Sequence, residues 1–258
     1  MIRIATKIAY LGDDFCGSQI QPEVRTVEGS ILRDVKTLCN FTDEEIDLRL
    51  ASRTDRNVNA LGNVAVFNSN IEDPLTLVKA LNAISDGVFY RSFALVDETF
   101  NPRHAECRTY NYLVPSDGLN VSDMKECARL FLGEHDFIRF CKSDGKSTVL
   151  SLDDIEISTD GDLIIMRFVA RRYLWNMIRR ISAAVISVGR GDSNVSEVED
   201  ALQGKNITFG LARADALTLT DITYPDIDFE AAPCNSIDPR SKEKLFKNHL
   251  EKRFFESL

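Results

Sequence analysis

The segment Ala51-Ser52-Arg53-Thr54-Asp55-Arg56-Asn57-Val58-Asn59-Ala60 places one carboxylate between two guanidinium groups. Arginines on both sides of an aspartate can orient it through charge-assisted hydrogen bonds and keep it ionised at neutral pH. That is the form in which a carboxylate attacks a centre or accepts a proton. The plainer alternative is an exposed Arg/Asp ion pair of little energetic weight. Two other groups of residues carry chemical potential. From Leu163 to Arg190 there are six arginines (Arg167, Arg171, Arg172, Arg179, Arg180 and Arg190) and no acid, and four acids return between Asp192 and Asp200. Such a run suits a phosphate track or, alternatively, a solvated basic helix. Arg179 sits among Leu174, Met177, Ile178 and Ile181, where a charge needs a partner. Tyr110 and Tyr112 alternate onto one face of a strand, as stacking platforms or as core aromatics.

These residues must be positioned by surrounding elements. In the first half the patterns predict a strand (2–11), a helix (27–40), strands (46–51 and 62–68), a helix (73–84) and a strand (88–96), in the order β-α-β-β-α-β. Val27, Ile31, Val35 and Leu38 give the first helix its apolar stripe. The second half repeats the order: a strand (109–114), a helix (122–132), strands (155–158 and 163–170), helices (172–188 and 195–203) and a strand (217–222). The expected class is α+β, with two diverged ferredoxin-like halves, 1–100 and 101–258, joined in one mixed, mainly antiparallel sheet around a central cleft. Asp55 would come from the first half and Tyr110 and the arginine helix from the second. Beyond Tyr224, with Pro225, Pro233 and Pro239, a charged, helix-compatible segment (242–257) is expected to form a terminal helix or arm packed on the body.

Composition narrows the function. At 258 residues and 44% apolar content the chain can bury one large core or two modest ones. The net charge of −9 argues against nucleic acid as a total, but the local arginine run outweighs it, because affinity follows charges placed against the backbone. Cys16, Cys39, Cys107, Cys127, Cys141 and Cys234 are dispersed, and they are expected to be reduced in a cytoplasmic protein. His104, His135 and His249 lack the spacing of a metal site, so none is expected. Met1 to Tyr10 reads as a strand rather than a targeting signal, and the most apolar runs, 163–170 and 181–188, fall short of the roughly 20 residues a spanning helix needs.

Arg53-Thr54-Asp55-x-x-Val58-x-Ala60-x-Gly62-x-Val64 resembles the Arg-Thr-Asp segment of the TruA-type tRNA pseudouridine synthases. The resemblance extends upstream to Tyr10-x-Gly12-x-x-Phe15-x-Gly17-Ser18-Gln19 and Thr26-Val27-Glu28-Gly29. Downstream it takes in Phe100-Asn101-Pro102-Arg103, Arg108-Thr109-Tyr110-Asn111-Tyr112, Gly133-Glu134-His135-Asp136-Phe137 and Leu174-Trp175-Asn176-Met177-Ile178-Arg179, in the family's order. Ser18, where bacterial members commonly carry Trp, points to the archaeal or eukaryotic branch. The resemblance implies the pseudouridine synthase fold and a cofactor-independent isomerase acting on uridines on the 3′ side of the tRNA anticodon stem and loop, working as a homodimer. It implies that Asp55 is the catalytic residue, as nucleophile at C1′ or as base at the 2′ carbon, that Tyr110 stacks on uracil, and that Arg179 pairs with Asp55. It also implies that Arg103 contacts phosphate and Leu217 lines the uracil pocket; Arg53, Arg108, Arg171 and Arg172 are expected to join them in binding RNA or substrate. Asn57 and Asn59 depart from the family's usual Gly and His. Asn57 can keep a left-handed turn, whereas Asn59 loses an imidazole. Those departures support a rival, a noncatalytic tRNA-binding or folding protein on the same scaffold. A small-molecule enzyme on a tandem ferredoxin-like fold is a weaker alternative.

Overall fold

A computed structural model describes residues 1–232 and 239–255; Pro233, Cys234 and the expected helix end at Ser257 lie outside the described residues. In chain order the elements are β1 (Ile2–Tyr10), α1 (Val27–Cys39), α2 (Asp43–Ile46), β2 (Arg49–Leu50), β3 (Asn59–Ser69), α3 (Pro74–Ile84), β4 (Phe89–Leu95), β5 (Cys107–Pro115), α4 (Val121–Arg129), β6 (Gly133–Asp136), β7 (Val149–Leu152), β8 (Asp154–Asp160), β9 (Leu163–Ala170), α5 (Met177–Arg190), α6 (Val195–Leu202), β10 (Leu217–Thr223), β11 (Glu230–Ala231) and α7 (Pro239–Phe255).

Local chemistry accounts for the helices. Thr26 caps α1 through the Gly29 amide, and Asn40 closes it in the left-handed region. Asp73 caps α3 with Pro74 behind it, and Asn194 forms a capping box with Glu197 at α6. The apolar stripe of α1 is buried at Val27, Ile31 and Val35, and α5 buries Met177, Ile178, Ile181, Ala184 and Val185.

The main sheet runs β11-β4-β1-β3-β10-β5-β9-β8, with β2 also paired to β3. Each half shows the same internal order. The first reads β4-β1-β3-β2 and the second β10-β5-β9-β8, so both are ferredoxin-like. All pairings are antiparallel except β3 with β10, where Thr218 faces Asn59 and Leu219 faces Ala60. This parallel contact is possible because β2 is two residues long. It covers β3 only at Val66 and Ala65, leaving the start of β3 free for β10. Gly62 lies between the two contacts, and a Cβ there would come within 2.6 Å of the Thr220 carbonyl oxygen. The core is continuous across the junction, from Ile4, Ile8, Val64 and Phe67 to Leu219, Phe168 and Ile181.

Three expectations need correction. The strand expected at 46–51 is a helical turn followed by a two-residue strand, because Thr42 and Glu45 form a capping box and Asp47 ends the turn in the left-handed region. The arginine helix expected at 172–188 begins at Met177. Asn176 has φ 62°, and the preceding residues are held by tertiary contacts: Tyr173 Oη donates to the Arg108 carbonyl (3.2 Å) and Arg172 Nη2 to the Val149 carbonyl (3.2 Å). The terminal helix exists, but its described side chains are exposed, and Lys244 pairs with Asp14 at 2.8 Å. The small β6/β7 sheet was not anticipated. It supports the connection that brings Asp144 and Lys146 to the cleft. No helix of the described residues is long and apolar enough to cross a membrane.

Candidate active site

The connection from β2 to β3 is held by buried polar groups. Ala51 N–H bonds the Val64 carbonyl at 2.8 Å. The Asn63 side chain accepts from Ser52 N–H (3.2 Å) and donates to Ser52 O (2.9 Å) and Tyr10 Oη (3.1 Å). Tyr10 Oη and Thr54 Oγ1 are 2.8 Å apart, and burial pushes the Tyr10 phenol up to about 12, so it stays a neutral hydrogen-bonding group. Ser18 closes the frame: its hydroxyl accepts from Thr54 N–H (2.8 Å) and its own N–H donates to Thr54 O (3.0 Å). Beyond Asp55 the chain turns through Asn57 at φ 68°, with Val58 N–H bonding Asp55 O at 3.1 Å. Gly12 packs against this turn so closely that a Cβ would lie 2.2 Å from the Asn57 carbonyl carbon. Asn59 ties the turn to both halves, accepting from Gly12 N–H and donating to the Asp215 carbonyl, each at 2.8 Å.

Facing this loop, Tyr110 comes from the middle of β5 and Leu217 from the start of β10; both are buried. The Tyr110 ring meets Tyr173 edge to face, with centroids 5.2 Å apart. Burial raises the Tyr110 phenol above its ordinary value. The negative poles of Tyr10 and Asp55 add to the rise, and Arg108 and Ser52 oppose it. Arg179, on the first turn of α5, donates through Nε to the Ala212 carbonyl at 2.8 Å and through Nη1 to Asn176 Oδ1 at 3.5 Å. Asp55, Tyr110, Arg179 and Leu217 line one cleft of about 660 Å³.

A sequence profile of the tRNA pseudouridine synthase family matches residues 127–225. Among curated relatives, the tRNA pseudouridine synthase A of Pyrococcus abyssi is 40% identical over 100% of this chain and 95% of its own length. That of Methanosarcina mazei is 34% identical over 86% and 85%. This chain belongs to the tRNA pseudouridine synthase family. Its fold is accordingly the pseudouridine synthase fold, and the expected archaeal affinity agrees with these relatives. Among solved structures, a Cbf5-Nop10-Gar1 complex aligns with 71% of this chain and 45% of that one at 14% identity and a TM-score of 0.35, too faint a likeness to carry weight.

Within this member of the tRNA pseudouridine synthase family, the expected site residues divide by environment. Asp55, Tyr110, Arg179, Leu217, Arg53, Arg103, Arg108 and Arg172 share the cleft; Arg171 is exposed outside it. The flanking guanidiniums do not grip Asp55: Arg53 and Arg56 are exposed, and no ion pair or hydrogen bond from another described side chain reaches its carboxylate. Arg179 likewise bonds Ala212 and Asn176 instead of Asp55. Arg108, expected to touch RNA, is only 8% exposed and points inward. It donates to Ser52 Oγ (2.8 Å) and to the carbonyls of Ala51 (3.2 Å), Arg103 (3.0 Å) and Arg171. The basic run is also dispersed, since Arg167 pairs with Asp154 at 3.0 Å and Arg190 borders a separate groove. Sequence reasoning missed Asn63, Ser18 and the framework role of Tyr10. Their signal would have been buried polar side chains next to an apolar strand, each requiring a partner.

Proposed function

We propose that the cleft between the two halves, 1–100 and 101–258, is where this chain isomerises uridine to pseudouridine in tRNA, with Asp55 acting on the ribose and Tyr110 bearing the uracil. The observation carrying this reading is the convergence of Asp55, Tyr110, Arg179 and Leu217 on one cleft from four separate segments. The reaction breaks the C1′–N1 bond, turns the uracil while it is held, and joins C5 to C1′. N1 gains a proton and C5 loses one, so atoms and electrons balance without a redox partner. An open carboxylate, unclaimed by either flanking arginine, is free to attack C1′ or to take the 2′ proton. The neutral Tyr110 phenol presents a flat apolar wall and a hydroxyl beside it. A target base must first leave its stack, a cost of a few kcal/mol that a pocket of this kind offsets.

The target uridines are those on the 3′ side of the anticodon stem and loop, and a homodimer holds one tRNA across both subunits in the cytoplasm. The exposed Arg53, Arg103, Arg171 and Arg172 would meet the phosphates. The noncatalytic rival loses the support it drew from Asn57 and Asn59, because one makes the left-handed turn and the other bridges the halves.

The test is tritium release from tRNA labelled at uridine C5, comparing the wild type with Asp55→Asn while tRNA binding is measured alongside. The expected result is release by the wild type and none by the variant at retained binding. A folded, tRNA-binding wild type that releases no tritium would overturn the reading.

A further inference from the structure

The chain has one tryptophan, Trp175, and it lies at the rim of the cleft, 49% exposed. Large aromatic rings are normally buried, so one displayed beside a nucleic-acid site calls for a function. Its placement is built in. The Trp175 carbonyl accepts from Lys142 N–H at 2.8 Å, and the Lys142 ammonium lies 3.8 Å from the ring centroid. Asn176 follows with its backbone in the left-handed region, which turns the chain into α5. Beside the ring is a second hollow of about 200 Å³, bordered by Lys142, Ser143, Thr148 and Arg172. It adjoins the cleft, since Asp144, Lys146, Arg172 and Trp175 line both. Three cations, Lys142, Lys146 and Arg172, face one carboxylate there, Asp144, which sits 3.5 Å from Lys146.

We propose that this side hollow is a subsite for the nucleotide adjacent to the target uridine, with its base stacked on Trp175 and its phosphate met by Arg172 and Lys142. The proposal rests on the assignment of the cleft as the uridine site. Removing a uridine from its stack leaves the neighbouring base with one uncovered face. An aromatic side chain flanked by cations is the usual way to cover such a face without reading its identity. The ring therefore positions the strand, and the chemistry stays with Asp55.

The experiment uses the full chain and an anticodon stem-loop RNA, native or with an abasic residue on the 5′ or 3′ side of the target uridine. Trp175→Ala should raise KM for the native RNA about tenfold, within the range that loss of one stacked base produces, with kcat within a factor of two. Trp175→Phe should restore most of the loss. The abasic RNA should lose the same factor with the wild type and almost nothing further with Trp175→Ala. As the single tryptophan, Trp175 also reports directly: native RNA should quench its fluorescence, and the correct abasic RNA should not. Unchanged KM in Trp175→Ala, or abasic and mutant losses that simply multiply for both flanks, would overturn the subsite. Those results leave the cleft assignment intact; it fails if the folded, tRNA-binding wild type releases no tritium or if Asp55→Asn still releases it.

Discussion

Arg108 gives the sharpest test, because its two possible roles predict opposite results. As an RNA contact, its replacement would remove one phosphate neutralised and flatten the dependence of log K on log salt by about 0.7 to 0.9. As an internal strap, it ties β5 to the Asp55 loop and to the 103 and 171 segments through four hydrogen bonds. In Arg108→Met the length of the side chain is nearly kept while all donors are lost. Hydrogen bonds from a charged donor are worth about 1.5–3 kcal/mol each, but the sum overstates the loss. Methionine also removes a buried charge whose desolvation costs several kcal/mol, and two of the freed carbonyls, those of Ala51 and Arg103, belong to residues that line the cleft, where water can reach them. A net destabilisation of about 3 kcal/mol follows, which for a chain of this length lowers the midpoint of thermal unfolding by about 6 °C. Turnover should also fall, up to about a hundredfold, because the loop carrying Asp55 loses its tie to the opposite wall. Differential scanning calorimetry and tRNA titrations across a salt series measure both quantities. An unfolding midpoint unchanged within a degree, together with a salt slope reduced by nearly one, would refute the strap.

Two further outcomes are expected. Asn59→Ala removes the bond to Gly12 within the first half and the bond to Asp215 that bridges the halves, so it should cost about 1–2 kcal/mol and lower kcat more than it raises KM; unchanged kcat and stability would show that the bridge is idle. Alkaline stability follows from the tyrosines: burial raises Tyr10 to about 12, and it raises Tyr90, Tyr110, Tyr173 and Tyr224 as well, above the value of 10.0 for an ordinary phenol. Groups raised on folding contribute stability that is complete below pH 10 and is lost as pH climbs through the folded values, at about 1.4 kcal/mol per pH unit for each phenol that only the unfolded chain has ionised. Urea midpoints should hold from pH 8 to about 9.5 and fall steeply by pH 11, and a flat profile to pH 11 would contradict the burial of these rings.

Most of the fold was legible because its signals are local. The i, i+4 stripe of Val27, Ile31 and Val35, the Asp73-Pro74 helix start and the short apolar run of β9 each depend on a few neighbouring residues. The Thr42–Glu45 capping box is equally local, and it makes a helical turn of the segment around Ile46 where the apolar alternation alone suggests a strand. For the site, the Arg53-Thr54-Asp55 connection and the shared strand face of Tyr110 and Tyr112 could be read from the chain.

The sequence by itself determined most of the segments that become helix or strand, that Asp55 lies in a connection, and that Asn57 could make a left-handed turn, since these are properties of adjacent backbone and side chains; the start of α5 was left to tertiary contacts. Only the tertiary structure decided which charges find which partners. Arg108 is drawn inward by the carbonyls of the distant Ala51 and Arg171 as well as the nearby Arg103, Arg179 is held by Ala212, and Asn59 reaches Asp215 because the short β2 leaves room for β10 beside β3. An arginine looks the same in the chain whether its guanidinium ends on solvent, phosphate or a buried carbonyl. The choice is made by desolvation and hydrogen-bond geometry, which exist only once residues far apart in sequence have been brought together.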